Sequence, residues 1–207
     1  MSRRQEAKGR EEHEVEFARI VAFSDGVFAI AITLLVLNLN LDDVARDEVW
    51  QGIWDQRENF LAYAISFAVI GRFWLVHHRF FGEVTAFDGR LLSLNMLYLA
   101  FIVLIPFSSQ VLGDFGGETA SVVVYAVNLI ACILVGMWMF VDAQRAGLTS
   151  ADAVGRREAV VRGCYIAGVF LLSIPVAAVA PNWAPLLWLA LFFDPGDRVA
   201  RAARADR

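Results

Sequence analysis

The chain has 207 residues, of which 58% are hydrophobic and 19% charged, with a mean hydropathy of +0.54. Soluble domains are about 45–50% apolar even with glycine counted, so this composition excludes a soluble globular enzyme, a disordered chain and a secreted disulfide scaffold. It leaves a helical membrane protein. The net charge of −4 carries little information, and one lysine with scattered arginines gives nucleic-acid binding no support.

Crossing about 30 Å of hydrocarbon takes roughly 20 apolar residues in a helix. Six apolar runs approach or exceed that length, at 18–41, 59–81, 91–112, 120–141, 160–180 and 183–200. They are too long for strands and lack period-2 alternation. The sixth is short. Its apolar part, Trp183 to Phe193, spans about 17 Å as an α-helix before Asp194-Pro195-Gly196-Asp197 interrupts it. The expectation is an all-α membrane protein: an N-terminal arm over 1–16, a six-helix domain over 17–200 and a basic tail over 201–207. Five spans with a re-entrant end form the alternative. Fifteen Lys and Arg residues fall on the side of both termini and of the 2–3 and 4–5 links, against Arg46 and Arg57 opposite. Both termini are therefore expected in the cytoplasm, which requires an even number of spans. No cleavable signal peptide is expected, because residues 1–16 are too polar.

Helix 1 carries Arg19, Ser24 and Asp25 in its first third. An ionisable residue inside a span normally faces protein or water and has a partner. Arg19 and Asp25 are six residues apart, about 9 Å along the axis and well separated around it, so they do not pair within the helix. Each calls for a partner on another helix or subunit, or for snorkelling to the interface. A stripe at helical spacing runs Gly26, Ile30, Thr33/Leu34, Leu37 and Leu41. By periodicity alone it reads as lipid-facing or ordinary packing more readily than as a pore wall.

Helix 2 places Arg72 mid-span, followed by Trp74, His77 and His78. Trp74 shares a face with His77 or His78, so Arg19, Ser24, Asp25, Trp74 and His77 form a group that can satisfy itself near the cytoplasmic end of a bundle. Adjacent histidines point about 100° apart, which is poor geometry for a metal. No nucleophile or HExxH accompanies them to suggest catalysis. Helix 3 adds Asn95 to the polar group and has Pro106 near its far end, where a kink should free carbonyls for Ser108 or Ser109. In helix 4, Asn128, Gly136 and Trp138 read as packing residues. Cys132 and Cys164 read as structural thiols in spans, without metal-ligand spacing. Helices 5 and 6 carry Pro175, Pro181 and Pro185 and read as scaffold.

The segment RIVAFSDGVFAIAITLLVL at 19–37 resembles the first helix of the prokaryotic branch of the transmembrane protein 175 potassium-channel family. Arg19, three residues, then Phe23-Ser24-Asp25-Gly26 form the signature. The resemblance extends to FWLVHHRFF at 73–81 and to Asn95 and Pro106, covering about residues 17–110; the second half agrees in span pattern. It implies a cation channel without a TVGYG-type filter, in a prokaryotic inner membrane, with one six-helix repeat per chain and four chains around the axis. It also implies a pore lined by helix 1. The constriction falls on Ile30, the hydroxyl layer on Thr33, and further aliphatic pore positions on Leu34 or Leu37. Arg19, Asp25, Trp74 and His77, with Ser24 and Asn95, would hold the pore helix. Asp42, Asp43, Asp47, Glu48 and Asp55 would concentrate cations at the extracytoplasmic mouth, or are ordinary solvated loop charges. The expected function is a potassium-permeable channel that needs no cofactor. Its partners are copies of itself, the bilayer and monovalent cations. The alternative is a proton or other monovalent-cation permease in which Asp25 and His77 titrate.

Overall fold

The computed structural model describes residues 3–39, 47–150 and 153–192, and their regular structure is helical apart from one isolated bridge. The helices are α1 (Arg3–Leu34), α2 (Val49–Asp55), α3 (Arg57–Glu83), α4 (Gly89–Val103), α5 (Ile105–Asp114), α6 (Thr119–Arg145) and α7 (Ala153–Val179). Two 3₁₀ segments, Leu35–Asn38 and Pro181–Phe192, complete them. Among the described residues, five stretches are long and apolar enough to cross a membrane: Val15–Asn38, Arg57–Glu83, Gly89–Asp114, Thr119–Arg145 and Arg157–Val179. α1 continues without a break across the expected boundary at residue 16.

The sixth apolar run departs from the α-helix that its length suggests. It is a 3₁₀ helix of 12 residues, about 24 Å long at 2.0 Å per residue. Pro181 opens the segment, where a missing N–H costs nothing, but Pro185 has no N–H to donate to the Pro181 carbonyl, which removes the bond that would close the first α-helical turn. Residues 193–200, the remainder of that run, and the basic tail lie outside the described residues.

The expected kink in the third span is a break at Leu104, which separates α4 from α5. Pro106 sits at the start of α5, where a missing N–H costs nothing. Ser108 Oγ donates to the Ile105 carbonyl at 3.0 Å, one residue before the proline and not the i−4 carbonyl that Pro106 leaves without its N–H. Ser109 instead donates across to the Ala62 carbonyl of α3 at 3.2 Å and accepts from Ser66 Oγ at 2.8 Å. α4 opens on Asp88, whose carboxylate accepts from the Leu91 N–H at 2.8 Å. Short α2 was not foreseen; its Trp50 and Trp54 share one exposed face.

The core lies between α1, α3, α4 and α6, around Phe28, Ile70, Tyr98, Ile102 and Tyr125. Gly136 of α6 permits a close approach, because a Cβ there would stand 3.1 Å from the Tyr98 ring. Cys132 is buried, whereas Cys164 lies on the exposed side of α7. A second cluster joins Phe80, Phe81, Leu91 and Met139. Phe17 of α1 stacks on Phe81 and Phe87 there, at 6.1 and 6.0 Å. The loops after α3 and α6 meet at this same end: Thr85 N–H donates to the Leu148 carbonyl at 2.8 Å and Ser150 N–H to that of Glu83 at 2.9 Å. Arg90 and Asp142 pair at 2.8 Å. The middle of α1 around Phe17 and these two links thus share one end of the bundle.

Candidate pore helix and its support

Two faces of α1 behave differently. Ser24, Phe28, Ala31 and Leu35 are at most 1% exposed, and their 4-3-4 spacing is that of a seam between packed helices. The opposite stripe of Phe23, Gly26, Ile30, Thr33, Leu34 and Leu37 is exposed throughout. Ile30 is 59% and Leu37 70% exposed, although both are fully aliphatic. Leu37 belongs to the 3₁₀ segment, where residues three apart eclipse, so it stacks in register with Leu34. Leu41 lies outside the described residues.

A hydrogen-bond chain fixes the buried face. Ser24 Oγ donates to the Ile20 carbonyl at 3.0 Å, and Asn95 Nδ2 donates to Ser24 Oγ at 3.0 Å. Asn95 Oδ1 lies 2.8 Å from His77 Nε2. An amide oxygen only accepts, so His77 Nε2 donates and that nitrogen carries a proton. The chain links α4 to α1 and α3, and all three side chains are at most 3% exposed. Three rings enclose the imidazole: Phe81 at 4.5 Å, Phe28 at 5.3 Å and Tyr98 at 5.6 Å. Trp74 Nε1 donates to Asp25 Oδ1 at 2.8 Å, and the Trp74 ring stacks on His78 at 5.3 Å.

The structure therefore brings together Ser24, Asp25, Trp74, His77 and Asn95, and leaves Arg19 apart. Arg19 is exposed and forms no ion pair among the described residues. The geometric reason lies in the helix. Arg19 precedes Phe23 by four residues and Ile30 by eleven, so it belongs to the exposed stripe, and Asp25 points elsewhere. Sequence reasoning missed the aromatic enclosure, although Phe28 follows Ser24 by one turn. It also missed Asn38, whose Nδ2 donates to the Pro106 carbonyl at 3.1 Å and ties the 3₁₀ extension of α1 to the α4–α5 break.

Thr33 Oγ1 donates to the Ile30 carbonyl at 2.8 Å. The hydroxyl proton is thereby used within the helix, and the oxygen's lone pairs remain for an outside donor or cation. Of the acids expected at a mouth, Asp47, Glu48 and Asp55 are exposed, with Asp55 accepting from Gln51 Nε2 at 2.9 Å; Asp42 and Asp43 lie outside the described residues. Among the described residues no three His, Cys, Asp or Glu side chains gather as a metal site.

A family model described as the endosomal/lysosomal potassium channel TMEM175 matches residues 19–106. A potassium channel of Chamaesiphon minutus is 32% identical over 178 residues, covering 78% of this chain and 86% of that protein. The chain belongs to the TMEM175 family. A potassium channel of Streptomyces collinus is 34% identical over 137 residues, 64% of this chain and 66% of the other, so the match spans just under two thirds of that relative. The crystal structure described as a lysosomal potassium-selective channel TMEM175 homolog from Chamaesiphon minutus superposes with a TM-score of 0.69 at 26% identity, over 91% of this chain and 98% of the other. Vertebrate TMEM175 relatives, named endosomal/lysosomal proton channels, align over about a fifth of their length. TMEM175 proteins are ion channels and not enzymes, and the α1 motif of this chain falls inside the matched segment.

Proposed function

We propose that this chain is one subunit of a homotetrameric, potassium-permeable channel in a prokaryotic inner membrane, with the exposed stripe of α1 as its pore wall. The observation that carries this reading is an aliphatic stripe left exposed by the described residues of its own subunit, on a helix whose other face is locked by Ser24, Asn95 and His77. One copy of a helix encloses no ion path, so the stripe needs symmetric copies to form one. Four Ile30 side chains make an apolar ring that gates by dewetting, with Leu34 and Leu37 continuing the apolar wall over about 12 Å. Thr33 supplies oxygens that replace part of the ion's water shell. The family resemblance assigns the same positions. Both termini lie in the cytoplasm, the 3₁₀ segment Pro181–Phe192 begins a short sixth crossing, and Arg19 lines the cytoplasmic entrance or meets a neighbouring subunit. The Ser24, Asp25, Trp74, His77 and Asn95 group positions the pore helix. The reading needs no cofactor beyond the permeant ion.

Purified protein in liposomes tests it, assayed for K⁺ against Na⁺ and H⁺ flux. Ile30→Asn keeps the size of the ring and adds hydrogen-bonding groups, so K⁺ flux should rise. Unchanged flux, or native mass spectrometry giving only monomers or dimers, defeats the assignment. A second reading, a proton or other cation permease using Asp25 and His77, draws on the names of the vertebrate relatives. It requires H⁺ flux that Asp25→Asn or His77→Gln abolishes while K⁺ flux persists.

A further inference from the structure

The open stripe of α1 ends in a change of winding. Leu35–Asn38 is a 3₁₀ helix, closed by the Leu39 N–H on the Val36 carbonyl at 3.1 Å. A 3₁₀ turn bonds less well than an α turn, and the segment Leu-Val-Leu-Asn contains no proline or glycine that forbids the α form. A contact outside the segment therefore holds it. At three residues per turn Leu35 and Asn38 eclipse, and the segment packs against α3 and α5. Leu35 is buried, and Asn38 Nδ2 donates to the Pro106 carbonyl of α5 at 3.1 Å.

That acceptor is a fixed point. Ser66 Oγ of α3 donates to Ser109 Oγ of α5 at 2.8 Å, and Ser109 Oγ donates back to the Ala62 carbonyl at 3.2 Å. With both of those protons placed, Tyr125 of α6 is the donor to Ser66 Oγ, at 3.0 Å. Asn128 Nδ2 of α6 donates to Ser108 Oγ of α5 at 3.2 Å. Hydroxyl chains thus pin α5 to both neighbours, and only the Asn38 carboxamide ties the outer end of α1 to it by a side-chain hydrogen bond among the described residues.

Winding decides where Leu37 points. At 100° per residue up to Leu34 and 120° beyond it, Leu37 lies about 40° to one side of the Ile30 line and Val36 about 80° to the other. Both are exposed. Rewound as an α-helix, Leu37 falls within about 20° of the Ile30 line and Val36 turns to about 120° from it. We propose that Asn38 is a positioning residue of the pore: its bond to Pro106 keeps Leu35–Asn38 in the 3₁₀ winding and so holds Leu37 off the Ile30 line. This role rests on α1 being the pore wall. Without the bond the segment rewinds, the Leu37 side chains of the assembled subunits stack over the Ile30 ring, and a second apolar constriction forms.

K⁺ flux into liposomes carrying the full chain tests the role. Asn38→Leu should lower flux by about three- to tenfold, the range that one hydrogen bond spans. Leu37→Ala added to Asn38→Leu should restore it, because the side chain that narrows the path is gone; general damage to the fold would not be repaired this way. Asn38→Ser, too short to reach the carbonyl, serves if Asn38→Leu does not fold. Labelling reads the winding itself. Val36→Cys and Leu37→Cys, each with the exposed Cys164 changed to Ser, are treated with a charged, water-soluble thiol reagent and followed by intact mass. Asn38→Leu should slow labelling at position 36 relative to 37. Flux untouched by Asn38→Leu, a loss that Leu37→Ala does not restore, or an unchanged labelling ratio overturns the proposal. Ile30→Asn separates the two readings: where it raises flux and Asn38→Leu does nothing, the role of Asn38 fails and the pore wall stands, and where Ile30→Asn is also inert, both fail.

Discussion

The two faces of α1 are both largely apolar and have opposite fates. The face that packs holds Ser24, Phe28, Ala31 and Leu35; the face that remains open holds Phe23, Ile30, Thr33, Leu34 and Leu37. In water the larger aliphatic face would be the buried one. In a bilayer lipid tails are as apolar as leucine, so helices associate through close packing and hydrogen bonds instead. The packed face has both: Ala31 allows approach, and Ser24 joins the chain to Asn95 and His77. The open face offers neither, which frees it for a second copy of the chain or for a path along the axis.

Truncating one large residue on each face tests that contrast most strongly. Phe28→Ala leaves a cavity among Phe28's neighbours His77 and Tyr98, which should cost about 2–3 kcal/mol even with lipid as the reference. Ile30→Ala, on the open face, should change subunit stability by no more than about 0.5 kcal/mol. Thermal unfolding in detergent measures both. Equal losses would mean that the two faces are equally packed within the subunit.

The next effect comes from the hydrogen-bond chain. Asn95→Leu is close in size but leaves the His77 N–H buried without its acceptor and takes one donor from Ser24 Oγ, which keeps its bond to the Ile20 carbonyl, at about 1–3 kcal/mol. Trp74→Phe removes only the bond to Asp25 and should cost about 1 kcal/mol. If Trp74→Phe proves the more damaging, Asp25 rather than Asn95 anchors the helix. Both variants should lower the yield of assembled protein more than they change ion preference.

Much of this arrangement was legible in the sequence, and the exceptions have physical causes. The five long spans follow from run length alone, and the polar residues that meet between helices are those too costly to leave in hydrocarbon. Arg19 was grouped with them because it is charged and near. Within one subunit its angular position on the helix, shared with Ile30, sets it apart from them. The sixth run was apolar enough for a helix end, but it forms a 3₁₀ segment with Pro185 inside it, a feature that hydropathy does not register. Helix α2 escaped notice because seven residues make no span; its signal was the pair Trp50 and Trp54, four apart, of the kind found at membrane interfaces. The open stripe of α1 could not be assigned from periodicity, since a pore wall and a lipid-facing wall have the same spacing. Only its exposure beside a locked opposite face separates it from ordinary packing.

The smallest effect on stability is expected at Thr33, and it bears most directly on what the open face does. Thr33→Val keeps the branched shape and removes one exposed hydroxyl, so folding should change by less than about 0.5 kcal/mol. The Thr33 proton is already donated to the Ile30 carbonyl, which turns the oxygen's remaining lone pairs outward. Valine has nothing to put in their place. If four such oxygens stand in for water around a passing K⁺, the ratio of K⁺ to Na⁺ flux should fall in this variant, while Ile30→Asn raises total flux and leaves the hydroxyl layer intact. A Thr33→Val protein that keeps its K⁺/Na⁺ ratio, in liposomes where Ile30→Asn also leaves flux unchanged, would show that the open face of α1 meets lipid or another helix and not the permeant ion.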